Sequence, residues 1–473
     1  MKRVVSFPFQ LRNRVWIQGC LLALPLMAAP ALAAPTAVLS KLTLDIPAEL
    51  QLPYQGPDAG VLGKHIALGL VSGLQFTGKD ADGTLQFVSI TDRGPNADAP
   101  KVCQGDNCRE SKIFLTPEYT PRWLNIAVKD GQATISAPIL LRDAQGPVHG
   151  LPLPDGTVGA TGEVALSPDL HTLKAPDARG LDTEGIAADG KGGYWVSDEY
   201  GPFLLHVDAQ GRILTKFGPT AEGAEKSVAT GLPSILRWRQ PNRGFEGIAV
   251  LPSGKVIAAV QSTLDIDGQT AQSATFIRLL ELDPATGKTR MLAYPLNAKD
   301  YRKSGDAKIG DLVAVDDHTV LAIEQGKDQN KAPQNRIYRI DLRTATDLSG
   351  KQVAGKEPEF ASAAKLKKAG IRPVGKTLLL DLRALGWPVE KAEGLTIVDK
   401  QTLAVISDND FGVTTHVQSA KGKEKKLDNF TTDGKGRLFK DGGATDAALH
   451  LAPLAAPDDR SALWLIHLGK PLR

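Results

Sequence analysis

Acidic residues recur along this chain at the openings and closings of short apolar segments. Glu184-Gly185-Ile186-Ala187 opens one segment, which turns at Asp189-Gly190-Lys191-Gly192-Gly193 and returns as Tyr194-Trp195-Val196-Ser197-Asp198-Glu199. Glu246-Gly247-Ile248 opens a second, which returns to Gln261. A third opens at Asp311-Leu312 and closes at Glu324, and a fourth runs from Glu393-Gly394-Leu395 to Asp408, with Asp410 just beyond. A degenerate copy runs from Ser72-Gly73-Leu74 to Thr91-Asp92. Carboxylates crowded together repel unless a cation or a bound proton compensates them, and hard oxygen ligands of this kind suit Ca²⁺. Asp92, Glu184, Asp198, Glu246, Asp311, Glu324, Glu393, Asp408 and Asp410 are therefore the candidate metal ligands, with the number of ions open. The alternative is local ion pairing, because Arg93, Arg179, Arg243, Lys308 and Lys391 each lie close to one of these acids.

The elements that position them follow from the pattern. Each copy reads as an antiparallel hairpin, so the residue that opens its first strand and the residue that closes its second lie at one edge of the sheet. Further strand pairs lie between the hairpins, and a hairpin plus such a pair makes the four-stranded blade of a β-propeller. The expected fold is all-β, a propeller of five or six blades, with the acids gathered at one mouth of its channel. Trp123 to Val128 and Ala133 to Leu141 supply outer strands of the first blade, and a further blade is sought after Asp143 or after Phe411. Helical patterning is confined to Phe360 through Lys368, with a turn near Leu382 to Leu385. Leu42 to Ile46 and Leu463 to Leu468 are both strand-like and are expected to pair and close the ring.

Lys2, Arg3, Arg12 and Arg14 precede an apolar run from Cys20 to Ala29 that ends in Ala31-Leu32-Ala33, the pattern of a secretory signal over residues 1–33. The mature chain, a single domain over residues 38–473, is expected in the periplasm or outside the cell, as a monomer. No segment approaches the apolar length of a spanning helix. The formal charge of +3 falls to −1 when the four signal-peptide cations leave, which gives a nucleic-acid partner no support. An oxidising compartment favours pairing of Cys103 with Cys108.

Missing motifs narrow the chemistry. There is no Gly-x-Ser-x-Gly elbow, no His-Glu-x-x-His pair and no dinucleotide fingerprint. Hydrolysis by a metal-activated water is the simplest remaining enzymatic mechanism. In that scheme Glu199 orients the water, and Arg93 and Arg243 hold the anion of a small anionic ester.

Three strings and a late match carry a family resemblance: Thr91-Asp92-Arg93-Gly94-Pro95-Asn96; Asp182-Thr183-Glu184-Gly185-Ile186 with Trp195 through Pro202; Asn242 through Ile248; and Glu393-Gly394-Leu395 with Ser407 through Gly412. With these the chain resembles bacterial exported proteins with an esterase-like phytase domain, from about Gly69 to the C-terminus. The resemblance implies a propeller related in architecture to calcium-dependent phytases, with a phosphoester or other ester as substrate. Two other readings stand beside it. One is a lactonase or carboxylic esterase on a metal-bearing propeller, signalled by one ion with three or four ligands. The other is a non-enzymatic binding module whose calcium is structural.

Overall fold

The computed structural model describes residues 36–472 apart from 68, 70, 71 and 137, so the expected signal segment over residues 1–33 lies outside the described residues. Five sheets repeat one plan, a hairpin followed by a second strand pair. The hairpins are Gly73–Lys79 with Leu85–Ile90, Thr183–Ala188 with Tyr194–Asp198, Phe245–Val250 with Val256–Val260, Ala307–Ala314 with Thr319–Lys327, and Gly394–Asp399 with Thr402–Ile406. The leading strands of the five hairpins contact one another in a closed cycle, the last lying against the first. This is an all-β, propeller-like ring.

The second strands show why the sequence folds this way. Val256–Val260 and Thr402–Ile406 are buried at every residue, because each sheet is covered on both faces by its neighbours. A strand covered on both faces reads as a continuous apolar run rather than an alternating one. The ring closes through a strand shifted from the expected Leu42 to Ile46: Ala37–Thr43 pairs antiparallel with Ala462–His467, which in turn pairs with Thr402–Ile406. The first and last described strands thus share the fifth sheet.

The expected helix is two short pieces, a 3₁₀ turn over Pro358–Phe360 and an α-helix over Ala363–Lys368, the second capped by the Ser362 side chain. A buried ion pair between Arg278 and Glu359, at 2.6 Å, docks this insertion on the third sheet. Phe411 is followed by short sheet pieces around Val413–Gln418, and Asn96–Asp98 pairs with Ser111–Phe114, which is joined by Val164–Leu166. Asn96 and Lys112 on these pieces reach the mouth of the ring. Cys103 and Cys108 form a disulfide within the hairpin of Lys101–Gln104 and Asn107–Arg109.

Candidate metal centre

Glu184 and Glu246 reach the axis through β-bulges. In the second sheet Thr183 pairs with Asp198 but Ile186 with Val196, so Glu184 and Gly185 together oppose one residue. The third sheet repeats this at Glu246-Gly247, where Phe245 pairs with Val260 and Ile248 with Ala258. A bulge re-aims the side chain it carries. The glycines are required by close approach of adjacent leading strands: a Cβ on Gly185 would lie 2.7 Å from the Glu246 carbonyl oxygen, and one on Gly247 2.6 Å from the Asp311 carbonyl carbon.

The resulting cavity has a volume of about 240 Å³. Asp92, Asp182, Glu184, Glu199, Glu246, Glu393, Asp408 and Asp410 line it. One carboxylate oxygen each from Asp182, Glu184 and Glu199 lie within 4.8 Å of one another, a set that could hold a metal ion. Asp182 accepts the Arg93 backbone N–H at 3.2 Å and lies 3.6 Å from the Arg93 guanidinium. Glu184 and Glu199 are buried, and among the described residues their carboxylates have no hydrogen-bond or ion-pair partner. Burial, and then the like charges around them, push Glu184 well above the usual carboxylate range and Glu199 to about 8. Glu246 is raised well above it by burial and by Glu199 and Glu393, and one of its oxygens accepts the Gln261 amide at 2.9 Å.

Across the cavity the charges are already matched. Lys391 Nζ lies 2.5 Å from Asp408, 2.8 Å from Asp410 and 3.6 Å from Glu393. Burial raises Asp410 but the Lys391 ammonium wins and holds it at about 2, whereas burial dominates at Asp408 and lifts it to about 8.

Three acids expected at the mouth take other positions. Asp198 accepts the backbone N–H groups of Asp182 at 2.7 Å and Gly201 at 2.9 Å, and burial raises it to about 7. Glu324 is buried against Lys376 and accepts the Tyr301 hydroxyl at 3.1 Å. Asp311 is displaced by register: Ile309 pairs with Glu324 and Leu312 with Ala322, so Gly310 stands where Glu184 and Glu246 stand, and Asp311 takes the glycine position. Its carboxylate turns to the backbone, accepting the N–H of Leu312 at 2.7 Å and of Leu395 at 2.8 Å, with Leu74 and Ile248 N–H groups adding to them.

The expected anion-holding arginines differ. Arg93 lines the cavity but is held by Glu163 at 3.1 Å and Asn242 at 3.0 Å. Arg243 points to the side, donating to Ser262 Oγ at 3.1 Å and to the Gly305 carbonyl at 2.5 Å. Arg179 pairs with Asp177 and Asp143, away from the cavity. A larger hollow of about 560 Å³ lies at the Ser253 and Asp317 turns, but its central acid, Glu281, is already paired with Lys255 and Arg290.

A propeller-like ring with a cavity of buried, uncompensated carboxylates is thus the class of structure at hand. The chain belongs to the phytase-like family, described by the esterase-like activity of phytase, whose model matches residues 66–411. An uncharacterized secreted protein of Arthroderma benhamiae is 29% identical over 318 residues, which cover 60% of this chain and 58% of that protein. Among solved structures, a protein of unknown function from Dyadobacter fermentans matches with 8% identity and a TM-score of 0.33, over 92% of this chain and 99% of its own. An α-L-arabinofuranosidase from Podospora anserina matches with 10% identity and a TM-score of 0.32, over 90% and 99%. No described helix is long and apolar enough to cross a membrane.

Proposed function

We propose that the protein is an exported, metal-dependent hydrolase of small anionic esters, with Asp182, Glu184 and Glu199 holding one divalent cation, Ca²⁺ by ligand chemistry. The observation that carries this reading is the pair of buried carboxylates, Glu184 and Glu199, that face each other and Asp182 with no partner of their own. Burying unpaired like charges costs several kcal/mol, roughly, unless something compensates them. A bound divalent ion supplies that compensation, polarises an ester oxygen and lowers the pKa of a bound water. The chain's own groups do the rest. Arg93 fixes Asp182 through its backbone N–H and its guanidinium, and is itself fixed by Glu163 and Asn242. Glu246, with one oxygen tied to Gln261, keeps the other available to take a proton from the attacking water.

A phosphoester is the first substrate class, following the family. The single three-carboxylate set favours a second, a lactone or carboxylic ester, which needs only one polarising ion. Purified protein assayed on 4-nitrophenyl phosphate, 4-nitrophenyl acetate and a γ-lactone, with Ca²⁺ and with chelator, tests both. Ca²⁺-dependent turnover that Glu199→Gln abolishes is expected. Turnover of none of them, while Ca²⁺ still raises the melting temperature, would leave a binding module with structural calcium.

A further inference from the structure

Beside the acidic cavity opens a second hollow of about 190 Å³, and Lys308, Lys391 and Glu393 line both. The two are neighbouring chambers with a shared wall. Their charge balance differs. In the side chamber Lys327 pairs with Glu390 at 3.1 Å, Lys391 is committed to Asp408 and Asp410, and Glu393 accepts the Gln325 amide at 2.9 Å. Asp306 lies 3.9 Å from Arg302.

Two cations of this chamber have no carboxylate partner among the described residues. Arg243 donates only to the Ser262 hydroxyl and the Gly305 carbonyl, which leaves its charge uncompensated. Lys308 is half-buried on the wall between the chambers; its ammonium makes no hydrogen bond or ion pair among the described residues, and its charge reaches Glu199, Glu246 and Asp410 only at longer range. Every other cation lining the acidic cavity is taken: Arg93 by Glu163 and Asp182, Lys112 by Asp98 at 2.6 Å, and Lys391 by its three acids. A partly desolvated cation is stabilised by an oxyanion placed against it, and a charge-assisted hydrogen bond is about twice as strong as a neutral one.

We propose that Lys308 and Arg243 form an oxyanion subsite beside the carboxylate trio, so that the preferred substrate is an ester carrying a separate carboxylate or phosphate group. The reacting ester lies over Asp182, Glu184 and Glu199, and its anionic substituent lies in the side chamber. This deepens the ester-hydrolase reading and rests on it for the reacting group. Anion capture itself needs no turnover.

Calorimetric titration of the full chain with orthophosphate and with succinate, in Ca²⁺ and in chelator, tests the subsite. Lys308→Met should fold normally, because the ammonium it removes makes no hydrogen bond or ion pair among the described residues, and should weaken anion binding by about tenfold or more, the worth of one hydrogen bond to a charged group. Arg243→Lys should weaken it less, and Lys112→Met should leave it within about twofold, since that cation is spent on Asp98. The stronger of the two probes identifies the anion as phosphate or carboxylate. On 4-nitrophenyl esters with and without a terminal carboxylate, Lys308→Met should raise KM selectively for the carboxylate-bearing ester. Anion binding unchanged in Lys308→Met, or lost equally in Lys112→Met, overturns the subsite. Lys308-dependent anion binding without hydrolysis of any ester would instead retain the subsite and remove the ester-hydrolase reading.

Discussion

On one side of the cavity three carboxylates, Glu393, Asp408 and Asp410, surround the ammonium of Lys391; on the other, Asp182, Glu184 and Glu199 converge and only Asp182 meets a cation. The two halves face the same electrostatic cost and answer it differently. One carries its cation on the chain, two residues before Glu393. The other has no such ammonium, and that is where the proposed divalent ion would sit. What looks from the sequence like a uniform acidic ring is divided by one lysine stem, so the acid count alone does not measure the charge left uncompensated.

The contrast is broken most directly on the open side. Glu184→Gln should weaken Ca²⁺ affinity by more than the roughly 10–100-fold that loss of a group hydrogen-bonded to a metal ligand costs, while the metal-free protein keeps or gains stability as repulsion is relieved. Calorimetry for the affinity and melting curves in Ca²⁺ and chelator for the stability report both. A metal-free protein that is clearly destabilised would mean that Glu184 is held by the protein itself.

On the filled side, Lys391→Met strands three acids. Loss of one partner of a buried pair costs about 3–5 kcal/mol, and about 2 kcal/mol is expected here because Lys391 is 31% exposed. Added Ca²⁺ should restore part of that loss, and the stoichiometry should rise from one ion to two. A count that stays at one would show that the halves differ in shape and not only in occupancy.

Asp311 serves as the control that belongs to neither half. Asp311→Asn keeps its size but replaces an acceptor for several N–H groups with an amide, and should cost about 1–3 kcal/mol in denaturant unfolding. Ca²⁺ affinity should not change, because Asp311 does not line the cavity.

Protons sharpen the same comparison. Asp198 at about 7, Glu199 at about 8 and Asp408 at about 8 are all raised by burial, so the folded, metal-free protein holds protons that the unfolded chain has released. Each contributes stability that is present below its ordinary carboxylate pKa and lost as pH rises toward 7 to 8. Metal-free melting temperature should therefore fall from pH 5 to pH 8. Ca²⁺ should flatten that decline, because it replaces the proton at Glu199. Asp410, held near 2 by Lys391, acts in the opposite sense and loses its contribution only as pH falls through the acid range.

Much of this was legible before the structure. The hairpins, the strand that closes the ring and the Glu-Gly-Ile openings are written in local signals: apolar runs, turn residues and repeated strings. The slot of Asp311 was not, although a signal existed: the bulge falls at the same place in the fourth hairpin, but its acid and glycine stand in reversed order, Gly310-Asp311 against Glu184-Gly185, so Asp311 takes the glycine position. Asp182 did leave a signal, since residues two apart on a strand share a face and it stands two before Glu184. Arg243, Lys308 and Lys391 look alike in sequence, each within three residues of an acid. Whether such a neighbour becomes a partner depends on which sheet its side chain crosses to, and that is fixed only when the ring is assembled.

The strand Ala37–Thr43 lines no part of the cavity, yet it is the outermost member of the sheet whose inner hairpin is flanked by Glu393 and Asp408. Its clasp is among the longest-range contacts in the molecule, with the Gly469 N–H bonded to Thr36 Oγ1 across 433 residues. Contacts so distant in sequence form late, after the entropy of closing the whole loop has been overcome. Trimming the chain ahead of residue 44 would therefore bare the outer edge of that sheet and cost stability first, while the leading strands still meet around the axis and every carboxylate keeps its place.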